Sequence, residues 1–391
     1  MEYDVIVIGL GAMGSSTTYQ LAKKGKKVLG IDQHDPPHTL GSSHGESRII
    51  RKAIAEGEEY VPLVLRSYEI WKELEKESGE DLLTETGILI MASNATDKPN
   101  KFLDSTKLAA EHYSIKHRNL DAGDVQKEFS QFKLQGDEKG YFEDEAGFLR
   151  PELCVSTQLR LAKRHGAGVQ VNEKLLSYEA DENRVTVTTD KGTYHAKQIV
   201  LTVGPWIKDF LPEQYEKDIN IYRQVLYWFE VEGNADKFRL GNFPVFNWEF
   251  NTAHEDFIYG FPIIDGSNAV KLATEQYADT TNPDEVDREV SEVEIKNMYE
   301  QYVKPYMPDL TSNCVRAEAC MYSVAPDWGF VIDRHPEHHN VVIASPCSGH
   351  GFKHSAAIGE VLADLSTDSV PKVDISRFSF SAMEDRLRHT K

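Results

Sequence analysis

One charged loop gathers side chains that could bind an anion. His44, Glu46, Arg48, Arg51 and Lys52 put five titratable groups within nine positions. Guanidinium groups bind carboxylates through paired hydrogen bonds, which makes Arg48 and Arg51 candidates for a carboxylate site. Residues three apart in a helix share one face, so the two arginines would act together if the segment were helical. The pattern also fits an exposed basic turn, and the residues by themselves leave both interpretations open.

A single lysine interrupts an apolar segment further along the chain. Lys271 lies between Ala269-Val270 and Leu272-Ala273, and burying an ammonium group in apolar surroundings is costly. Its side chain therefore either faces solvent or lies in a polar internal site. Tyr259, a short distance upstream, could present a phenol to the same place.

The cysteines and histidines predict no metal site. None of the four cysteines forms a C-x-x-C pair or has metal-ligand spacing with a histidine. Such cysteines are usually core residues, and in an intracellular setting they are reduced. His335, His338 and His339 are close in sequence, but their polar turn favours a solvated loop. The cysteines are Cys154, Cys314, Cys320 and Cys347.

The elements that must position these groups begin with a glycine-rich turn near the start of the chain. Residues 5–8 are an apolar run typical of a buried parallel strand. Gly9, Gly11 and Gly14 then complete G-x-G-x-x-G. The first glycine makes the tight turn, the second lets the backbone approach a pyrophosphate, and the third lets the following helix pack on the strand.

The residues after this turn complete a nucleotide-binding unit. Residues 15–24 are predicted to form a helix whose first N–H groups face the phosphate. A second strand at residues 27–31 ends at Asp32, eighteen residues past Gly14, where an acid binds ribose hydroxyls. The sequence therefore predicts a dinucleotide site.

The rest of the chain predicts two interleaved domains. Residues 220–320 are dense in aromatic residues and alternate in polarity, which is typical of an antiparallel sheet with one covered face. A last strand and helix return to the first unit. Strands are predicted at 86–91, 169–171, 184–189, 194–202 and 340–344, and helices at 60–77, 159–165, 284–302 and 356–365.

Composition indicates a globular protein with room for two cores. The chain has 391 residues, of which 40% are hydrophobic, and a net charge of −20. This charge argues against nucleic acid or an anionic membrane as a partner, and no apolar stretch approaches the roughly 20 residues of a membrane span. The chain enters a strand at once, which leaves no room for a signal peptide, and residues 388–391 do not form a peroxisomal tail. We therefore expect a cytoplasmic protein.

Several motifs together identify a resemblance. The chain resembles the monomeric sarcosine oxidase family of covalent-FAD amine oxidases, which also holds N-methyltryptophan oxidase and L-pipecolate oxidase. The likeness runs essentially from end to end, and its most specific motif is Ser-Gly-His-Gly-Phe-Lys at 348–353. The other matching segments are residues 41–51, 58–63, 259–262, 320–322 and 333–336.

The resemblance implies an α/β fold with two interleaved domains. A Rossmann-like FAD-binding domain of glutathione reductase type would comprise residues 1–85, 150–215 and 320–391. A substrate domain, built mostly on an antiparallel sheet, would comprise residues 86–149 and 216–319. The implied enzyme uses FAD to oxidise the C–N bond of a secondary or N-substituted α-amino acid (sarcosine-like, N-methyl or pipecolate-like) to an imine. Oxygen becomes hydrogen peroxide, and the family favours a monomer.

The resemblance also implies roles for individual residues. Cys320 would carry FAD through a thioether to the 8α-methyl group. Arg51 and Lys353 match the pair that holds the substrate carboxylate. Arg48 matches a cation beside the flavin ring, where it stabilises the reduced, anionic form. Lys271 matches the lysine that contacts flavin N5 through water and promotes electron transfer to oxygen.

The remaining implied site residues shape the pocket or bind the cofactor. His44 matches a residue of the loop beside the flavin, and Tyr259 and Tyr322 match tyrosines of the substrate pocket. The residues expected to bind the cofactor are Gly9, Gly11, Met13, Gly14, Asp32, Ser42, Ser43, Arg48, Val171, Gly204, Trp206, Cys320, Gly349, Gly351, Phe352 and Lys353.

The chain departs from the family pattern near the expected pocket. Glu275 stands four residues after Lys271, where sarcosine oxidases have a histidine. An acid there would repel a substrate carboxylate or attract a cationic group on a longer side chain, so we count Glu275 among the substrate-binding residues. Pro346-Cys347 replaces the usual Gly-Phe, and Ala325-Pro326-Asp327 replaces Thr-Pro-Asp. These departures shift the expected substrate away from sarcosine alone.

Other functions compete with this interpretation. Larger N-alkylated or glycated amino acids would keep the chemistry and change the pocket. Lys271 argues against a flavin dehydrogenase that uses an acceptor other than oxygen. The intact set of Arg51, Lys271, Cys320 and Lys353 argues against a flavin-binding protein without activity. A nicotinamide-dependent dehydrogenase fits the glycine motif alone.

Overall fold

A computed structural model describes residues 2–93, 101–250 and 257–389. Of the tail considered above, Thr390 and Lys391 lie outside the described residues. The strands are β1 (Glu2–Ile8), β2 (Val28–Ile31), β3 (Arg48–Ile50), β4 (Leu83–Glu85), β5 (Ile88–Ala92), β6 (Arg118–Asp121), β7 (Lys139–Glu143), β8 (Gly147–Leu149), β9 (Gly168–Gln170), β10 (Leu175–Ala180), β11 (Val185–Thr189), β12 (Thr193–Leu201), β13 (Asn220–Val231), β14 (Val245–Glu249), β15 (Phe257–Gly260), β16 (Ala269–Ala273), β17 (Leu310–Val324), β18 (Val331–Arg334) and β19 (Val341–Ser345). The α-helices are α1 (Ala12–Lys23), α2 (Val61–Ser78), α3 (Lys101–His112), α4 (Ala122–Glu128), α5 (Pro151–Arg164), α6 (Glu292–Met298), α7 (Ser355–Leu365) and α8 (Phe380–His389).

The first sheet carries the glycine-rich turn. Its parallel strands run in the order β9-β2-β1-β12-β19, and β10, β11 and β18 extend it by antiparallel pairing. Ile8 pairs with both Leu201 and Ile31, so three strands end side by side just before the turn. Helix α1 packs between α5 and α7 on one face of this sheet. The predicted strand, turn and helix are confirmed, and β19 with α7 returns to this sheet as expected.

The second sheet holds most of the aromatic residues. Its order is β17-β13-β16-β15-β14-β5-β7-β6, and within the described residues its pairs are antiparallel except β14 with β5. One face packs a cluster that includes Phe229, Phe246 and Trp248. The prediction of a single covered face is wrong for β16, whose five residues are all buried. The reason is that the loop around Ser47 lies against the other face and contacts Lys271.

The helix predicted at 284–302 begins later than expected. Helix α6 starts at Glu292 and continues as a π-helical turn at Tyr299–Val303. Its start is set by Ser291, whose hydroxyl and backbone exchange hydrogen bonds with Glu294 in a capping box. Before it, the carbonyls of Asp287 and Glu289 accept hydrogen bonds from the Arg223 guanidinium at 2.6 and 2.8 Å, which holds this stretch outside the helix.

Two features of the fold cross the predicted domain boundaries. Strand β17 stays in the second sheet on both sides of residue 320. A small third sheet, β3-β8-β4, joins segments on both sides of residue 86. The division itself stays a prediction. No helix in the described ranges combines the length and apolarity that a bilayer crossing requires.

Candidate functional site

A cleft opens at the carboxyl ends of the parallel strands of the first sheet, which is where open α/β sheets bind their ligands. It runs from the glycine-rich turn to the inner end of β17. Most residues expected to bind the cofactor line it, together with Tyr322. They are Gly9, Gly11, Met13, Asp32, Ser42, Ser43, Arg48, Gly204, Trp206, Gly349, Gly351 and Phe352.

The glycine-rich turn is shaped by two glycines that no other residue could replace without movement. Gly9 has φ +83°, and a Cβ there would lie 2.5 Å from the carbonyl oxygen of Thr202. A Cβ on Gly14 would lie 1.7 Å from the carbonyl oxygen of Gly9. Gly11 is less crowded, since its nearest neighbour would be Ser43 Oγ at 3.4 Å. Because Gly11 has no side chain, a phosphate could approach its backbone closely.

Asp32 is tied to this turn at the end of β2. Its Oδ2 accepts a hydrogen bond from the Leu10 N–H at 2.6 Å, and its Oδ1 accepts one from the His34 N–H at 2.8 Å. A carboxylate has about four acceptor sites, so two remain for ribose hydroxyls. The acid is therefore both held in place and available to a ligand.

Four of the expected cofactor residues lie outside the cleft lining, and Gly14 of the glycine-rich turn is one of them. Cys320 and Lys353 are buried beside it, in the cation clusters described below. Val171 follows β9, and its carbonyl accepts a hydrogen bond from the Lys191 ammonium at 3.4 Å. Its role stays a prediction.

The charged loop is extended where Arg48 begins β3, so the helical alternative considered for it is wrong. Residues three apart in an extended chain point to opposite sides. Arg48 accordingly turns toward Cys320, and Arg51 turns toward Glu56. The two arginines therefore serve different parts of the site.

Cys320 lies in a cluster of charged groups. Its side chain is buried, with Arg48 Nη2 at 3.7 Å from Sγ. Burial disfavours the thiolate, but His44 and the Arg48 guanidinium outweigh it and lower the pKa of Cys320 to about 7. Burial likewise opposes the imidazolium of His44, but Cys320 and the Glu318 carboxylate raise the pKa of His44 to about 9. The lowered pKa of Cys320 and the raised pKa of His44 both favour a thiolate and an imidazolium over two neutral groups.

Lys271 lies in a polar internal site, and the solvent-facing alternative is excluded. Its side chain is 3% exposed. The ammonium donates to the carbonyls of Gly45 and Ser47 at 2.5 and 2.8 Å and to Ser47 Oγ at 3.1 Å. The Phe261 ring centroid lies 4.4 Å from Nζ. Burial, followed by the charge of Arg48, lowers the pKa of Lys271 well below its usual range.

Arg51 and Lys353 meet at one carboxylate, which belongs to the protein itself. Arg51 Nη2 lies 2.6 Å from Glu56 Oε2, and Lys353 Nζ lies 3.5 Å from Glu56 Oε1. Both cations are buried. Burial lowers the pKa of Lys353 to about 8, although Glu56 opposes this. Two cations face one acid, so this carboxylate clamp (Arg51, Lys353 and Glu56) keeps one positive charge below that pH.

Aromatic side chains and one acid close the space between this clamp and Cys320. Tyr259 and Tyr322 bring their hydroxyls to 3.4 Å. Tyr277 donates a hydrogen bond to Glu275 Oε2 at 2.7 Å, and burial raises the pKa of Glu275 to about 7. A Cβ on Gly349 would lie 3.0 Å from the Tyr277 hydroxyl, so this glycine permits the close approach.

Four acidic residues of the site were missed by sequence reasoning. Glu143 accepts a hydrogen bond from the Lys52 N–H at 2.7 Å, and Glu152 accepts one from the Gly45 N–H at 2.6 Å, so both hold the charged loop. Glu56 and Glu318 pair with its cations. Glu318 had a usable signal, because it precedes Cys320 by two residues in an alternating strand. Nothing local in sequence marks the other three.

Comparison with known proteins defines the class to which the chain belongs. Residues 4–365 match the family described as FAD dependent oxidoreductase. The chain belongs to this family, and it is an oxidoreductase that uses FAD. Its resemblance to the sarcosine oxidase family, inferred from motifs, is confirmed by the relatives that follow.

Named relatives and one solved structure agree over almost the whole chain. The chain is 37% identical over 382 residues to monomeric sarcosine oxidase of Bacillus sp. (strain NS-129), covering 97% of each chain. It is 32% identical over 382 residues to N-methyl-L-tryptophan oxidase of Salmonella heidelberg (strain SL476), covering 97% of this chain and 99% of the relative. The structure of NikD, an unusual amino acid oxidase essential for nikkomycin biosynthesis, superposes with a TM-score of 0.83 over 97% of each chain at 22% identity, which shows a shared fold.

The residues present fit FAD. Gly9 and Gly14 build a turn that a Cβ would fill, at the start of helix α1, where N–H groups favour a phosphate. Asp32 stands at the end of the next strand. The cleft continues from there to Arg48 and Gly349, close to the charged groups around Cys320. The cleft therefore offers groups that complement both the dinucleotide part of FAD and its flavin ring.

Proposed function

We propose that the chain is an oxidase of a secondary or N-substituted α-amino acid, with FAD as electron acceptor and oxygen as the final oxidant. The observation that carries this proposal is the carboxylate clamp. Arg51 and Lys353 are buried, face a carboxylate, and lie beside the end of the FAD cleft. Glu56 neutralises only one of the two cations, and an unpaired buried charge is costly, so the clamp can accept a second anion such as an amino-acid carboxylate.

The clamp orients the substrate. Arg51 can form a bidentate pair with a carboxylate, and Lys353 adds a point charge. Holding the carboxylate in one pose places the adjacent nitrogen and its α-carbon against the cofactor and lowers the entropic cost of reaction. Tyr259 and Tyr322 close the pocket on the side of Cys320. When bound, FAD would take a hydride equivalent from a carbon next to the substrate nitrogen as the C–N bond becomes an imine, and the two electrons would pass to oxygen to give hydrogen peroxide.

The cluster on the cofactor side is proposed to hold and tune FAD. Cys320 would anchor the 8α-methyl carbon through a thioether, as its lowered pKa favours. Arg48, within 3.7 Å of Cys320, would offset negative charge on the reduced ring. Lys271 would act on oxygen through water. Three protein acceptors already bind its ammonium group. A water would most easily replace Ser47 Oγ, because that hydrogen bond, at 3.1 Å, is the longest of the three.

A second candidate substrate class is favoured by Glu275. Tyr277 holds this acid in the pocket wall by a hydrogen bond, and burial raises the pKa of Glu275 to about 7, so that its neutral and ionised forms are both populated at neutral pH. A larger N-alkylated or glycated amino acid could donate a hydrogen bond to it from a hydroxyl or amine. Glu275→His is expected to raise activity on sarcosine relative to such larger substrates. An unchanged substrate ranking would remove Glu275 from the specificity argument.

The remaining proposals concern organisation. We propose the two interleaved domains with the boundaries given above, because the parallel strands around the glycine turn and the mostly antiparallel strands rich in aromatic residues form two separate eight-stranded sheets. We further propose that the chain acts in the cytoplasm on a small-molecule substrate and oxygen, and that it is a monomer, as the resemblance implies. Sedimentation of the purified protein tests whether it is a monomer.

The first experiment is a visible spectrum of the purified protein before and after acid precipitation. Colour that stays with the washed pellet supports a covalent flavin, and Cys320→Ser should release it into the supernatant. Peroxide release is then measured across sarcosine, N-methyl amino acids, pipecolate and a glycated amino acid. Failure of every carboxylated amine, with oxygen consumption absent, would refute the proposed oxidase.

A further inference from the structure

A row of functional side chains follows one face of β17. Residues two apart in a strand point to the same side. Arg316, Glu318, Cys320 and Tyr322 therefore form one line that leads into the substrate pocket. The intervening residues are small or apolar: Ala317, Ala319 and Met321.

His44 contacts this row at Glu318, where its Nδ1 lies 3.4 Å from Oε2. The opposite ring nitrogen, Nε2, is buried and has no hydrogen-bond partner in the described part of the chain. Cys320 follows Glu318 by two residues on the same face of β17. An imidazole paired with a carboxylate favours the thiolate of a neighbouring cysteine, and the lowered pKa of Cys320 agrees with this arrangement.

Glu318 is itself held in place by Arg316, the preceding residue of the row. The Arg316 guanidinium donates to Glu318 Oε1 at 2.7 Å and also pairs with Glu46. Glu46 accepts a further hydrogen bond from the Trp228 indole at 3.1 Å. This chain of contacts orients the Glu318 carboxylate toward His44, although its side chain is 23% exposed.

We propose that Glu318 is a positioning residue that keeps His44 charged and oriented, so that Cys320 is a thiolate when FAD arrives. The inference rests on the proposed attachment through Cys320. In that step the thiolate, whose proton has already passed to His44, would bond through its sulfur to the 8α-methyl carbon. One C–H bond of that carbon would break, its proton would leave to solvent, and its two electrons would reduce the flavin ring. Oxygen would then take up these two electrons and two protons and leave as hydrogen peroxide.

Other titratable groups also surround Cys320 and contribute to its charge state. Arg48 reaches it from β3, Lys271 from β16, Tyr259 from β15, and Cys347 from the turn after β19. The side-chain partners of Glu318 in the described part of the chain are His44 and Arg316, and not these four groups, so its replacement is expected to leave the four in place. A change seen in a Glu318 variant therefore reports on its link through His44.

The test compares the full chain, prepared flavin-free from riboflavin-limited cells, with variants. Alkylation of Cys320 by iodoacetamide is followed across pH by peptide mass spectrometry, and acid-stable flavin is followed after FAD is added. Glu318→Gln should move the midpoint of alkylation up by about one unit or more. At pH 7 this lowers the rate about fivefold, because the thiolate fraction falls from about a half to about a tenth. Attachment of flavin should slow by a similar factor.

Two further variants complete the test. Glu230→Gln removes an acid of the same size from β13, where it contacts Asn313 at 3.0 Å, and should leave the midpoint unchanged. Glu318→Asp keeps the charge and should shift the midpoint less than Glu318→Gln. Equal shifts in both Glu318 variants, or no shift in either, would overturn the proposal.

The failure of flavin attachment itself would look different. A wild-type chain without acid-stable flavin, matching Cys320→Ser, would refute the anchor. The alkylation profile would still decide whether Glu318 controls the Cys320 thiol.

Discussion

Replacing Glu56 by glutamine is expected to strengthen the binding of a substrate that carries a carboxylate. The Glu56 carboxylate lies 2.6 Å from Arg51 and 3.5 Å from Lys353, so it engages both cations proposed for the substrate. A substrate must displace it or bind beside it. Glutamine keeps the shape of the side chain and removes the competing charge.

The size of the effect follows from these distances. A substrate carboxylate on Arg51 and Lys353 would lie about 5 Å from the charge of Glu56, and at an effective dielectric of about 20 the repulsion is about 3 kcal/mol. Glu56 is 20% exposed, so solvent screens part of this repulsion. Taking about half of it, about 1.4 kcal/mol, corresponds to a roughly tenfold decrease in KM.

The assay is steady-state peroxide release with a carboxylated amine and with the same amine lacking the carboxylate. The decrease in KM should be confined to the carboxylated substrate. Glu58→Gln is the matched control, because Glu58 is two residues away and pairs instead with His112 at 2.6 Å. An equal or higher KM for the carboxylated amine, or the same decrease for both amines, would refute the reasoning.

Three further predictions concern other parts of the site. Lys271→Met should slow reoxidation of the reduced flavin by oxygen about a hundredfold in stopped-flow experiments, with FAD content preserved; unchanged reoxidation would remove its proposed role. Glu275 ionises as pH rises through about 7, so KM for an anionic substrate should rise from acid to alkaline pH, and Glu275→Gln should flatten that profile. Gly14→Ala should abolish FAD retention and lower the melting temperature, because its Cβ would lie 1.7 Å from the Gly9 carbonyl oxygen.

The nucleotide-binding unit could be predicted from sequence because its constraints are local. The apolar run of β1, the glycine turn and helix α1 are neighbours in the chain, and each glycine answers a steric demand within a few residues. The carboxyl end of β2 then brings Asp32 to that turn. Periodicity and spacing are enough to find such a unit.

Prediction was weaker where a distant contact decides the local conformation. Residues 284–291 have the polarity of a helix, yet Arg223 on β13 binds the carbonyls of Asp287 and Glu289, and the helix begins only at Glu292, after its cap Ser291. The loop at residues 44–52 was open to a helix or a turn, and its segment Arg48–Ile50 is extended because β3 pairs with β8. Buried Glu143 and partly buried Glu152 hold the loop backbone from segments about a hundred residues away.

By itself, the sequence determined the dinucleotide site, the expected family and the identity of the residues that carry charge into the pocket. Only the tertiary structure decided their protonation and pairing. Lys271 is costly to bury in any apolar strand, and three acceptors from the Gly45–Ser47 backbone and side chain make it tolerable. The pairing of Glu56 with Arg51 and that of Glu318 with His44 likewise could not be predicted from the sequence. The reason is physical: a charge near a protein interior depends on every group within a few ångströms, and folding assembles those groups from remote segments.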